Sequence, residues 1–134
     1  MIPSANSLLS ADLEVKTQPS KTYKMHLDRE SVSGTCDGQD AMAQTIYKIL
    51  NSERYEHLIY SWDYGVELKD LFGEPISYVC PELQRRIEEA LMQDDRITSV
   101  TDFEFDISEK RTVKATFTVH TIFGDIETEK AVNY

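Results

Sequence analysis

Apolar positions first fall into a clear rhythm at Asp37. Met42, Thr45, Ile46, Ile49 and Leu50 recur at i, i+3, i+4, i+7 and i+8, one stripe of a 3.6-residue period, and predict a helix whose start Asp37 can cap. A second stripe, Ile76, Val79, Cys80, Leu83, Ile87, Ala90 and Leu91, is stronger. Outside it, Glu82 with Arg86 and Arg85 with Glu89 form i, i+4 pairs. Pro81 interrupts this stripe, so the pattern predicts either a kink or a short turn before a helix from Pro81 to about Met92.

After Arg96 the period becomes two. Phe103, Phe105 and Ile107 share one face of a first run, and Val113, Ala115, Phe117 and Val119 share one face of a second. SEKR at 108–111 and Gly124-Asp125 read as turns, and IETEKAV as a third strand. Upstream, Tyr23, Met25 and Leu27 alternate loosely before Gly34, which predicts a short strand or hairpin. Residues 1–22 carry no period and read as a flexible tail. The prediction is one α+β domain over 23–134, with an N-terminal strand or hairpin and helices followed by a three-stranded antiparallel meander. Between the helices, NSERYEHLIYSWDYG and the following Val66, Leu68, Leu71 and Phe72 suggest a compact connector with a short helical turn packed on the core.

Size and charge narrow the function. A chain of 134 residues with 40% hydrophobic and 28% charged positions has the composition of one folded domain. Its 24 acids against 14 bases give a net charge of -10, which repels phosphate backbones and anionic membrane surfaces, so neither nucleic acid nor membrane is an expected partner. The opening MIPSANSLLSADLEVK lacks a basic front and a long apolar stretch, and no window offers the roughly 20 apolar residues of a membrane span. The expected compartment is the cytosol. Cys36 and Cys80 are far apart without a CxxC neighbour; both are expected to be reduced, with Cys80 in the core.

Candidate chemistry is thin. The five glycines form no phosphate-cradling loop, and His26, His57 and His120 lack metal-ligand spacing, with His120 expected to face solvent. No cofactor or metal is predicted. No GxSxG elbow is present, and Cys36 reads as a small residue before a helix. Glycoside hydrolysis asks only for two carboxylates across a cleft, and Glu53 with Glu56, or Asp63 with Glu67, could be nominated. No residue pattern marks any of them as buried, which a raised pKa requires. Tyr55, Tyr60, Trp62 and Tyr64 with Arg54 have the composition of an interface core, although packing under the connector would account for them equally.

ILNSERYEHLIYSWDYGVELKDLFG, an amphipathic helix, QDDRITSV and a meander ending HTIFGDIETE together resemble the baseplate wedge proteins of contractile tails. More closely, they are similar to the XkdS-type baseplate proteins of defective, bacteriocin-like prophages, and the resemblance runs from about Tyr23 to Val132. Glu53, Arg54, Tyr64 and Gly65 match the family's first block. Asp94, Asp95 and Arg96 stand where its second block has Glu-Pro-Arg, so the acid and the arginine are kept and the proline is not.

The resemblance implies a non-catalytic structural role in the inner baseplate, with Glu53, Arg54, Tyr64, Gly65, Asp94 and Arg96 as partner-binding residues. The implied partners are other wedge proteins, the tail sheath protein, and the tail tube or hub. The C-terminal sheet would be the platform on which the first sheath ring assembles, after a stage in the host cytoplasm. Some family members carry a lysozyme label, and a small cell-wall glycosidase using paired carboxylates is the alternative.

Overall fold

A computed structural model describes residues 19–134. In chain order these comprise strands β1 (Thr22–His26) and β2 (Ser31–Cys36), helix α1 (Gly38–Leu50), a 3-10 turn at Lys69–Leu71, helix α2 (Ile76–Met92), and strands β3 (Ile97–Asp106), β4 (Thr112–Thr121) and β5 (Gly124–Asn133). The strands form two antiparallel sheets, β1-β2 and β3-β4-β5. The α+β architecture and the C-terminal meander expected from the pattern are therefore present. Of the segment expected to be a tail, residues 1–18 lie outside the described residues. Ser20 is buried, and its Oγ is 3.3 Å from Arg96 Nη1.

Both helical stripes face the sheet. Met42, Ile46, Ile49 and Leu50 of α1 and Val79, Leu83, Ile87, Ala90 and Leu91 of α2 are buried in one core with Val113, Ala115, Phe117 and Val119 of β4. Asp37 accepts a hydrogen bond from Gly38 N at the start of α1. Helix α2 begins a turn and a half before Pro81, because Pro75 O accepts from the amides of Tyr78 and Val79 and seeds the first turn. Pro81 then removes only the bond to the Ser77 carbonyl. Cys80 is partly buried against the core, and burial pushes its thiol pKa up.

Strand β3 departs from simple alternation. Its core-facing residues are Ile97, Val100, Phe103 and Phe105, and the spacing of three arises from two register shifts, between Ile97 and Ser99 and between Thr101 and Glu104. Each inserts one residue, as β-bulges do, and Asp102 takes a left-handed φ of 59° at the second. Ile107 lies beyond the strand and is exposed, so the Phe103-Phe105-Ile107 face ends at Phe105. Leu27, expected on the alternating face of the first strand, and Phe72, expected in the packed connector, are also exposed, each in a turn just past its element.

Candidate partner-binding site

The connector between α1 and α2 is a closed excursion of the chain. Ser52 O accepts from Val66 N at 3.0 Å and Arg54 N donates to Val66 O at 3.3 Å, which makes a one-residue parallel bridge between Glu53 and Val66. Gly65 sits at the neck with φ +89°, and a Cβ there would lie 2.4 Å from Ser52 O. Both the backbone conformation and the close approach require glycine. The loop that leaves this neck exposes Tyr55, Leu58, Ile59 and Trp62, while Tyr60 stacks on Tyr64 with ring centroids 4.4 Å apart. The aromatic cluster thus divides. Tyr64 packs against the core, and Tyr55 and Trp62 face outward.

Glu53 and Arg54 lock the neck. Glu53 Oε1 accepts from Leu68 N at 2.9 Å and Lys69 N at 3.0 Å, so the carboxylate satisfies the first free amides of the 3-10 turn. Arg54 Nε donates to Gly65 O at 3.2 Å, and Nη1 donates to Glu89 Oε1 at 3.1 Å. Its Nη2 lies 2.9 Å from Glu89 Oε2 as a charge contact without hydrogen-bond alignment. Glu89 is therefore taken by the connector, and Arg85 turns to Glu82 instead of forming the i, i+4 pair with Glu89. Local spacing allowed the pair, but Arg54 reaches Glu89 from the side where its own guanidinium is nearly buried, and desolvated charges gain more from pairing.

A second rung runs the other way. Arg86 of α2 keeps the expected contact to Glu82 at 3.1 Å, and also donates from Nη1 to Glu67 O at 2.9 Å and to Asp70 with both Nη groups. The hydrogen bond from Arg86 holds the Asp70 carboxyl below the usual carboxylate range, against the opposing effect of burial. Sequence reasoning missed Glu89, Glu67 and Asp70 as partners. The available signal was one arginine in the connector and two on α2 facing an acid-rich loop.

Tyr64, Gly65, Asp94 and Arg96 line one cleft of about 280 Å³, closed by Ile49 and Ala90. Burial and the neighbouring Tyr60 push the Tyr64 hydroxyl pKa up, with a hydrogen bond involving Ser52 opposing them. Asp94 Oδ1 accepts from Arg96 N at 2.9 Å and Nε at 3.0 Å, and Oδ2 accepts from Nη2 at 2.7 Å. Burial raises the Asp94 pKa, but these bonds and the Arg96 charge outweigh it and leave the carboxyl below its ordinary value. Arg96 thus closes the turn into β3 through Asp94. The six predicted residues fall into two adjoining groups, with Glu53 and Arg54 behind the neck and the other four around the cleft; Gly65 touches both.

The acids nominated for hydrolysis are engaged elsewhere or exposed. Glu53 caps the 3-10 turn, Glu56 pairs with Lys69 at 3.1 Å, and Asp63 is held below the carboxylate range chiefly by Ser61. Asp63, Asp70, Glu82, Asp94 and Asp106 all have lowered pKa values, the opposite of what a general acid requires. Among the described residues no three His, Cys, Asp or Glu side chains converge to hold a metal ion. No helix is long and apolar enough to cross a membrane among these residues.

Residues 16–124 match the family described as the contractile injection system sheath initiator. The chain belongs to the sheath initiator family. It is also 35% identical over 128 residues to the phage-like element PBSX protein XkdS of Bacillus subtilis strain 168, with 90% of each chain covered. The sheath-initiator match takes in both helices, the clamped connector, the 94–96 turn and strands β3 and β4. A structural role in a phage-type contractile tail follows, and the resemblance seen in the connector and meander blocks is met.

Proposed function

We propose that the protein is a non-catalytic baseplate component that touches neighbouring wedge subunits through the connector and the 94–96 turn and starts sheath assembly on its C-terminal sheet. In this reading it joins the particle in the host cytoplasm, next to the tail tube or hub. One observation carries the proposal: a chain of the sheath initiator family presents a three-stranded sheet with no strand on either outer edge among the described residues. An incoming sheath strand can add to such an edge, with backbone hydrogen bonds supplying affinity and alternate side chains supplying register. The cleft of Tyr64, Gly65, Asp94 and Arg96 supplies a rigid wedge contact, because each of these residues is already fixed by intramolecular bonds or by backbone conformation.

The test is electron microscopy of particles from a strain lacking the gene, complemented with wild type, Arg96→Ala or Arg96→Lys. Deletion is expected to leave tails without sheaths. Full-length sheathed tails in the deletion strain would refute the assembly role. Clearing of a peptidoglycan suspension by the purified protein, abolished by a single change at Glu53, Glu56, Asp63 or Glu67, would refute the non-catalytic one.

A further inference from the structure

The two edges of the C-terminal sheet are not equivalent. β3 carries two bulges, and bulges blunt an edge against pairing. β5 pairs with β4 over ten residues without a register shift. Tyr134 N donates to Arg111 O on the β4 side, whereas Asp125 O accepts from Gln39 Nε2 of α1 on the other. With a period of two, the backbone groups of Glu127, Glu129, Ala131 and Asn133 therefore point to the open edge.

Charge makes this edge selective. On its solvent face Asp125 is hydrogen-bonded to His120 and Glu129 is ion-paired with Lys114, which leaves Glu127 without an ion pair among the described residues. On the face toward the helices Lys130 is half-buried, and its Nζ donates to Asn51 Oδ1 at 3.2 Å with no carboxylate within 4.0 Å among the described residues. Burial lowers the Lys130 pKa, partly offset by the more distant Glu53. Beside Lys130 runs a groove of about 550 Å³ whose walls combine Leu50, Leu68, Phe72 and Val132 with Glu53 and Glu56, the first held by the Leu68 and Lys69 amides and the second by Lys69 Nζ. A second groove of about 430 Å³ borders Thr128 between α1 and the β1-β2 hairpin, lined by Met25, Leu27, Ala43 and Tyr47. A second copy of β5 would set the row Asp125, Glu127 and Glu129 against its own acids, and like charges directly opposite oppose pairing.

We propose that the outer edge of β5 receives an extended partner segment with cationic side chains on the solvent face opposite Glu127 and, on the inner face, apolar side chains interrupted by one carboxylate beside Lys130. This inference rests on the strand-addition reading above and adds the edge and the charge pattern. Lys130 acts as a filter. A wholly apolar strand would bury the ammonium with Asn51 Oδ1 as an uncharged partner and no countercharge, whereas a strand bearing one acid converts that cost into an ion pair.

Two capped octapeptides of one composition serve as probes. One alternates lysine with valine and carries a single aspartate in the valine phase; the other groups its lysines together. Amide shifts of the full chain are expected to move at Glu127, Glu129 and Ala131 with the alternating peptide, and not with the blocked one. Ala131→Pro removes an outward N–H and leaves the β4 ladder intact, so binding should weaken about threefold to tenfold. Glu127→Lys should weaken it about two- to fivefold, and Lys130→Met should abolish the preference of the wild type for the alternating peptide over the same peptide with valine in place of the aspartate.

Shifts centred on β3, a β5-β5 dimer in sedimentation, or undiminished binding by a folded Ala131→Pro would overturn the proposal. Should Ala131→Pro lower the melting temperature, unchanged affinity in Glu127→Lys overturns it instead. In particles, a sheathless deletion strain with fully sheathed Glu127→Lys and Ala131→Pro tails would refute the edge and leave the assembly role standing. A sheathed deletion strain would refute the role itself.

Discussion

The β1-β2 hairpin and the β3-β4-β5 sheet are both antiparallel, yet they are held by different forces. In the C-terminal sheet Val113, Ala115, Phe117 and Val119 are fully buried under two helices, and Phe103 stacks on Phe117 with centroids 5.0 Å apart. In the hairpin Tyr23 is 74% exposed and Val32 63% exposed, so little apolar area is removed from water. A two-stranded ribbon of this kind is marginal by itself. What fixes it is Gln44 of α1, whose Oε1 accepts from Met25 N at 2.9 Å and whose Nε2 donates to Tyr23 O at 2.7 Å. One amide side chain thus stands in for a missing third strand, and the comparison shows that strand content alone says little about where stability resides.

The largest effect should come from the buried face. Phe117→Ala removes a fully buried ring and is expected to cost about 3–5 kcal/mol, read as a lower urea midpoint at unchanged slope. A loss under about 1 kcal/mol would mean that the sheet, like the hairpin, is not held by its apolar face.

An intermediate effect is expected at the entry to the sheet. The Asp94 carboxyl has a folded-state pKa below its unfolded value. Its contribution is therefore present above the unfolded pKa and is lost as pH falls through the folded one. Asp94→Asn should cost on the order of 1–3 kcal/mol at pH 7, because charge-assisted bonds to Arg96 are removed, and less at pH 2–3. Equal losses at both pH values would show that the side chain matters for packing and its charge does not.

The smallest effect should appear in the hairpin. Gln44→Ala is expected to lower global stability by about 1 kcal/mol or less while hydrogen exchange at Met25 and along β2 accelerates, with β4 amides unaffected. Acceleration of β4 to the same extent would place hairpin and sheet in one cooperative unit and erase the distinction drawn above.

The connector shows where legibility in the sequence stops. Glu53, Arg54, Tyr64 and Gly65 were singled out through a family resemblance, yet their physical duties came from groups far along the chain. Arg54 meets Glu89, 35 residues away, and the need for glycine at 65 lies in the carbonyl of Ser52. The i, i+4 rule on α2 identified Glu82 with Arg86 correctly, because that pair depends on helix geometry alone. It failed for Arg85 with Glu89, because a nearly buried arginine from another element competed for the same acid.

What the sequence by itself determined is whatever repeats with a local period. The stripes of α1 and α2 and the alternation of β4 follow from short-range geometry and the burial of apolar side chains, and they suffice for an α+β domain ending in a meander, although the last turn falls at 122–123 and Gly124-Asp125, expected as that turn, already pairs within β5. Tertiary structure alone decided the bulges that reset the phase of β3, the two arginine rungs that fasten the connector to α2, the glutamine that stands in for a strand beside the hairpin, and the half-buried setting of Lys130 on the edge of β5. Each of these depends on which groups meet through space and lose water together. Pairing and desolvation energies are set by those three-dimensional neighbours, which no local period records.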